Sequence, residues 1–124
     1  MKPIPSAIII ITIVALYSLI ALVSCEGAEY TDNQIANAIY KAEGSEKAKK
    51  PYGILSVACE GEQDCRQICL NTIRNQRKRH AKHTCNLTYL ECLAKRYAPV
   101  GVENDPRGLN KNWLKNVKYF LNRR

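Results

Sequence analysis

The chain has 124 residues, a formal net charge of +8 and six cysteines. That length suits one small domain whose modest core gains from cross-links, with no internal repeat or low-complexity tract to suggest an array. The positive charge favours anionic surfaces such as wall polymers or phospholipid head groups. No tandem aromatic platform or nucleic-acid motif appears, so the expected partners include no nucleic acid.

Lys2 precedes an apolar stretch from Ala7 to Val23, interrupted only by Thr12, Tyr17 and Ser18, which is the pattern of an export signal. It ends in Leu22-Val23-Ser24-Cys25, which resembles a bacterial lipobox: an aliphatic residue, a small residue, then the cysteine that carries the lipid after cleavage before it. The expectation is a signal peptide over 1–24, lipidation at Cys25 and a domain over 25–124. An uncleaved anchor helix, slightly short of the ~20 residues of a full span, and ordinary cleavage nearby are the alternatives. Each places the remainder outside the cytoplasm, in a bacterial envelope facing the periplasm or secreted, with the membrane reached through the lipid or anchor.

From Thr31 the chain reads as an amphipathic helix, with Ile35, Ala38, Ile39 and Ala42 at i, i+3, i+4 and i+7. Thr31 and Gln34 have capping-box spacing, and Gly44 is a stop signal. Glu43 therefore falls in the last turn, at the negative end of the helix dipole, where its pKa is expected to rise toward the value a general acid needs. A polar segment, Ser45 to Lys50, and a Pro51-Tyr52-Gly53 turn follow.

Cys59, Cys65, Cys69, Cys85 and Cys92 come next, and in an oxidising compartment they should form two disulfides with one thiol over. Gln63 to about Arg79 reads as a long helix with Cys65, Ile68, Cys69, Thr72 and Ile73 on one face. Leu87 to Tyr97 reads as another, with Leu87, Leu90, Leu93, Ala94 and Tyr97 inward. Seven residues along a helix would hold Cys85 and Cys92 ~10 Å apart, too far to bond. The expected pairs are Cys59–Cys65 and Cys69–Cys92. Zinc on the cysteines with His80 and His83 is the competing use, disfavoured because exported thiols are oxidised and the Cys-x3-Cys spacing is not the usual one; no metal site is expected.

The end of the long helix carries Arg74, Arg77, Lys78, Arg79, His80, Lys82 and His83. Cations there suit the helix dipole, or they form a patch for an anionic wall or membrane. A turn-rich loop from Val100 to Asn110 leads into a final amphipathic helix with Trp113, Leu114, Val117, Phe120 and Leu121 on one face. Polar loops on a rigid scaffold are common places for sites.

These blocks resemble the lysozyme-like superfamily, especially small bacterial relatives of soluble lytic transglycosylases. The residues that carry the resemblance are Ala42-Glu43-Gly44, then Pro51-Tyr52-Gly53-Ile54-Leu55-Ser56-Val57, Arg96-Tyr97-Ala98-Pro99 and Asn110-Lys111-Asn112-Trp113. The resemblance implies a mainly α, α+β lysozyme-like domain with a short β-like segment after Glu43. It implies that Glu43 is the catalytic acid/base, and that the stretch around Gly53 to Ser56 lines a sugar cleft. Ser56 stands where glutamine is usual. Tyr52, Ser56, Tyr97 and Asn110 are the expected substrate-binding residues, and peptidoglycan glycan strands the expected partner.

Cleaving a β-1,4 glycosidic bond needs a protonated carboxyl at the leaving oxygen, and the usual hydrolase adds a second carboxylate. Asp105 and Glu46 are the candidates for that second group. A lytic transglycosylase resembles a one-acid machine, and one good glutamate without a clear partner favours it; neither metal nor organic cofactor is required. The alternatives are a non-catalytic basic wall-binding module and a structural envelope lipoprotein.

Overall fold

The structure is a computed structural model that describes residues 30–54 and 56–123. The expected signal peptide and the expected lipidation at Cys25 lie outside the described residues. Those described form a mainly helical domain of four α-helices: α1 (Asp32–Ala42), α2 (Gly61–Ala81), α3 (Tyr89–Tyr97) and α4 (Trp113–Asn122). Short 3₁₀ turns at Ser45–Lys47, Pro51–Gly53 and Leu109–Asn112 join them.

α1 begins where its capping box predicts. Gln34 N–H donates to Thr31 Oγ1 at 3.2 Å and Thr31 N–H donates to Gln34 Oε1 at 2.8 Å. Its apolar face buries Ile35, Ala36, Ala38 and Ile39, and α4 is its most extensive neighbour, followed by α2. Each fully buried aliphatic side chain contributes about 1.5–3 kcal/mol to holding these helices together. α2 supplies Cys65, Cys69, Leu70 and Ile73, α3 supplies Tyr89, Leu90 and Leu93, and α4 supplies Trp113, Val117 and Leu121.

Polar brackets fix how the helices dock. Arg66 on α2 donates to Asn37 Oδ1 (2.9 Å), Asn33 Oδ1 (3.1 Å) and the Tyr52 hydroxyl (3.0 Å), tying α1 and the Pro51 turn to α2. Arg77 donates to Asp32 Oδ1 and to the Tyr30 carbonyl, each at 2.6 Å, and lies 4.7 Å above the Tyr89 ring. Arg74 pairs with the same Asp32 at 3.6 Å. His80 Nε2 meets the Leu87 carbonyl at 2.9 Å. Part of the cationic stretch at the end of α2 is therefore internal framework rather than a free basic surface.

Three expectations change. The β-like segment is not a strand among the described residues: Tyr52 (φ 60°) and Gly53 (φ 64°) are both left-handed, so the chain reverses there instead of extending. The second disulfide is Cys85–Cys92, not Cys69–Cys92. Helix α3 starts only at Tyr89, after a Thr88/Glu91 capping box, so Cys85 lies in the preceding loop and its Cα comes within 6.2 Å of that of Cys92. Leu87, outside the helix, is 40% exposed rather than inward. The Cys59–Cys65 bond forms as expected, with Cα atoms 5.1 Å apart. Cys69 is the free thiol among the described residues; it is buried against the Tyr97 hydroxyl, and burial pushes its pKa up to about 11. Two disulfides place the domain in an oxidising, non-cytoplasmic compartment. No helix among the described residues is long and apolar enough to cross a membrane.

Candidate active site

Glu43 is the C-cap of α1, its N–H donating to the Ile39 carbonyl at 2.9 Å. Gly44 at φ 102° then turns the chain out of the helix, a conformation that glycine adopts without a Cβ penalty. The chain returns through Lys50 and Pro51, and the two left-handed residues Tyr52 and Gly53 bring backbone back beneath the glutamate. The approach is close. A Cβ built on Gly53 would stand 2.5 Å from both Cδ and Oε2 of Glu43 and 2.9 Å from Oε1. Glycine alone permits that distance and that φ together.

From the opposite side, Trp113 at the head of α4 donates its Nε1–H to Glu43 Oε1 at 2.8 Å. An indole nitrogen can only donate, so Oε1 is held as an acceptor and the acidic proton belongs on Oε2. The indole is steadied by stacking on Tyr97, with centroids 5.2 Å apart and planes 26° from parallel. The Tyr97 hydroxyl in turn donates to the Tyr52 carbonyl. Burial keeps that phenol neutral by pushing its pKa far above the ordinary value. Carboxyl, indole, phenol and turn thus close a ring of contacts drawn from α1, α4, α3 and the Pro51 turn.

Burial raises the pKa of Glu43 above the usual carboxylate value, and the bond from Trp113 offsets part of that rise by favouring the ionised form. The direction matches the expectation for a general acid. Its leading cause is desolvation rather than the end of the helix dipole.

Glu43 opens into a cleft of ≈ 520 Å³. Ser56, Tyr97 and Asn110 line the same cleft, so the structure gathers three of the four expected substrate-binding residues around the glutamate. Asn110 is anchored by donating Nδ2–H to the Pro99 carbonyl at 2.8 Å. Tyr52 is the exception. Its side chain is buried, packs on Tyr40 with ring centroids 5.0 Å apart, and accepts from Arg66; it supports the site from behind and does not face a ligand.

Neither candidate for a second carboxylate is poised for chemistry. Asp105 is buried and accepts backbone N–H groups from Gly101 (3.2 Å), Leu109 (2.7 Å) and Asn110 (3.3 Å), which makes it the organiser of its loop. Glu46 is exposed in the 3₁₀ turn and does not line the cleft. Among the described lining residues, Glu43 is the one carboxyl group. The described residues hold no cluster of His, Cys, Asp and Glu arranged for a metal ion.

Sequence reasoning missed two partners of Glu43. Trp113 reads as a core residue from its periodicity, and Gly53 as the end of a turn that the resemblance continues into a β-like segment, with no sign of contact with Glu43. The sole tryptophan of the chain and a Pro-Tyr-Gly turn were the available signals. No protein-family model, curated protein or solved structure matches the chain.

Proposed function

We propose that the protein is a lysozyme-like, extracytoplasmic glycosidase that cleaves the β-1,4 glycosidic bonds of peptidoglycan strands with Glu43 as its single acid/base. The observation that carries this reading is the environment of the Glu43 carboxyl, which lines the cleft: desolvated, pressed on Gly53, and held by Trp113 through Oε1 so that Oε2 is the oxygen left to carry a proton. Donation to a leaving glycosidic oxygen demands a carboxyl that holds its proton more tightly than an ordinary carboxylate, and burial moves Glu43 in that direction.

With Asp105 committed to its loop, the one-acid route is favoured over paired-carboxylate hydrolysis. Oε2–H protonates the leaving oxygen as the glycosidic C1–O bond breaks. The resulting carboxylate then takes the proton of the muramyl 6-hydroxyl while that oxygen bonds to C1. The product is a 1,6-anhydro ring, no water is consumed, and the glutamate ends protonated as it began. A signal peptide and lipid on Cys25 would present this domain to the wall, and no cofactor enters the scheme.

The test is incubation of the mature protein, wild type and Glu43→Gln, with isolated peptidoglycan, followed by mass analysis of soluble muropeptides. Anhydro-muramyl products from wild type alone support the proposal. Reducing-end products would replace the one-acid route by hydrolysis. No products from either folded protein would reject the enzyme in favour of a wall-binding module.

A further inference from the structure

Arg96 is the one cation among the described residues that line the Glu43 cleft. It is exposed in the last turn of α3, immediately before Tyr97. The arginines of α2 that meet α1 are engaged, Arg66 by two asparagines and a tyrosine and Arg74 and Arg77 by Asp32. Among the described residues, the Arg96 guanidinium has no such ion pair or hydrogen bond. It also leaves Glu43 alone, because the shift of that carboxyl comes from burial and from Trp113. Acid and cation share the cleft without neutralising each other.

A neutral glycan is recognised by hydroxyl and acetamido hydrogen bonds and gains little from a guanidinium. An unpaired guanidinium in a groove selects an anion, and its planar fork fits a carboxylate in two parallel bonds. We infer that Arg96 binds a carboxylate carried on the muramyl substituent of the glycan, so that the cleft distinguishes acidic from neutral β-1,4 strands. The inference rests on the glycosidase reading of the Glu43 cleft and adds the feature of the substrate that sets its register. The carboxylate has two chemical sources: the lactyl group of a bare muramyl residue, or the stem peptide that replaces it as an amide. A purely structural Arg96, placed to suit the C-terminal dipole of α3, would show no dependence on ligand charge.

The decisive experiment is calorimetric binding in a Glu43→Gln background, which prevents turnover, with Arg96 intact, Arg96→Gln or Arg96→Lys. Four probes are used. They are chitotetraose, a GlcNAc–MurNAc tetrasaccharide with free lactyl carboxylates, the same sugar capped as its neutral methylamide, and the same sugar carrying Ala–Glu stems. Arg96→Gln is expected to weaken binding of the free-lactyl or the stem-bearing probe by roughly fivefold, within the range for solvent-exposed ion pairs. Which of these two responds identifies the source. Chitotetraose and the methylamide should bind all three proteins alike, and Arg96→Lys should fall between, keeping the charge without the fork. Equal losses on all four probes, or none on any, overturn the inference while leaving the glycosidase reading to the muropeptide assay. Failure of every probe to bind the Arg96-intact protein rejects both. An unchanged melting temperature for Arg96→Gln confirms that the comparison concerns folded protein.

Discussion

Trp113 and Glu43, 70 residues apart in the chain, meet through a 2.8 Å hydrogen bond from the indole Nε1–H to Oε1. The bond has two consequences of opposite sign. It stabilises the ionised carboxyl and so restrains the rise that burial imposes. It also fixes which oxygen is left to carry a proton. Trp113→Phe keeps most of the packing and deletes the donor, so the pKa of Glu43 should rise further. The protonated, active form then persists to higher pH, and the alkaline limb of the pH–rate profile should move upward. Maximal activity should fall ~10-fold, because the carboxyl loses the contact that orients it. A pH–rate comparison of the two proteins on peptidoglycan checks both; a downward shift would contradict the assigned role of the indole.

Burial of an ionisable acid also sets the stability of the domain against pH. The folded-state pKa of Glu43 lies above its unfolded value near 4.5, so the folded state holds the proton more tightly. The stabilisation from that proton is fully present below the unfolded value and is lost as pH rises through the folded one. Glu43→Gln is isosteric, retains an acceptor for Trp113 and never ionises. It should melt close to wild type near pH 4 and above it at pH 8, a trade of stability for activity. Thermal unfolding at the two pH values is the measurement. A difference independent of pH would show that charge on Glu43 is not what strains the folded state.

The cysteines give a prediction independent of function. Peptide mapping should recover Cys59–Cys65 and Cys85–Cys92, with the thiol of Cys69 unreactive in native protein and modified once the chain unfolds. Paired replacement of Cys85 and Cys92 by alanine should cost roughly 2–3 kcal/mol, the loop-entropy value for so short a link. Recovery of a Cys69–Cys92 peptide would contradict the docking of α2 on α3.

What the sequence made legible, and what it did not, divides by range of interaction. Helix α1, its Thr31/Gln34 box and the placement of Glu43 at its end were readable because each depends on residues within one turn of another. The Cys85–Cys92 bond was misread although the signal was local: Thr88 and Glu91 form a capping box, and placing the helix start there moves Cys85 off the helix. Other features are tertiary and leave no local trace. Asp32 engages Arg74 and Arg77 only because α1 docks on α2. Asp105 carries the residue type of a catalytic partner and the environment of a loop anchor, and only the backbone amides around it tell the two apart. Trp113 sits at a core position by periodicity, and its polar atom was invisible until α4 crossed the end of α1.

Gly53 offers the sharpest test of the site geometry, because two effects of a methyl group there can be separated. Gly53→Ala introduces an L side chain at φ +64° and also drives its Cβ to 2.5 Å from the Glu43 carboxyl. Gly61, at φ +75°, carries the same backbone demand with nothing within 4 Å of an added Cβ. Gly61→Ala should therefore report strain alone, about 1 kcal/mol of stability with activity retained. Gly53→Ala should lose a comparable or larger amount of stability and, in addition, about 100-fold in activity, since displacing an acid by ~1 Å is enough for such a loss. Melting temperatures and muropeptide release for the pair measure the two components. If Gly53→Ala lost no more activity than Gly61→Ala, the carboxyl would have room to move without consequence, and its close seat on the turn would not be what prepares it for acid catalysis.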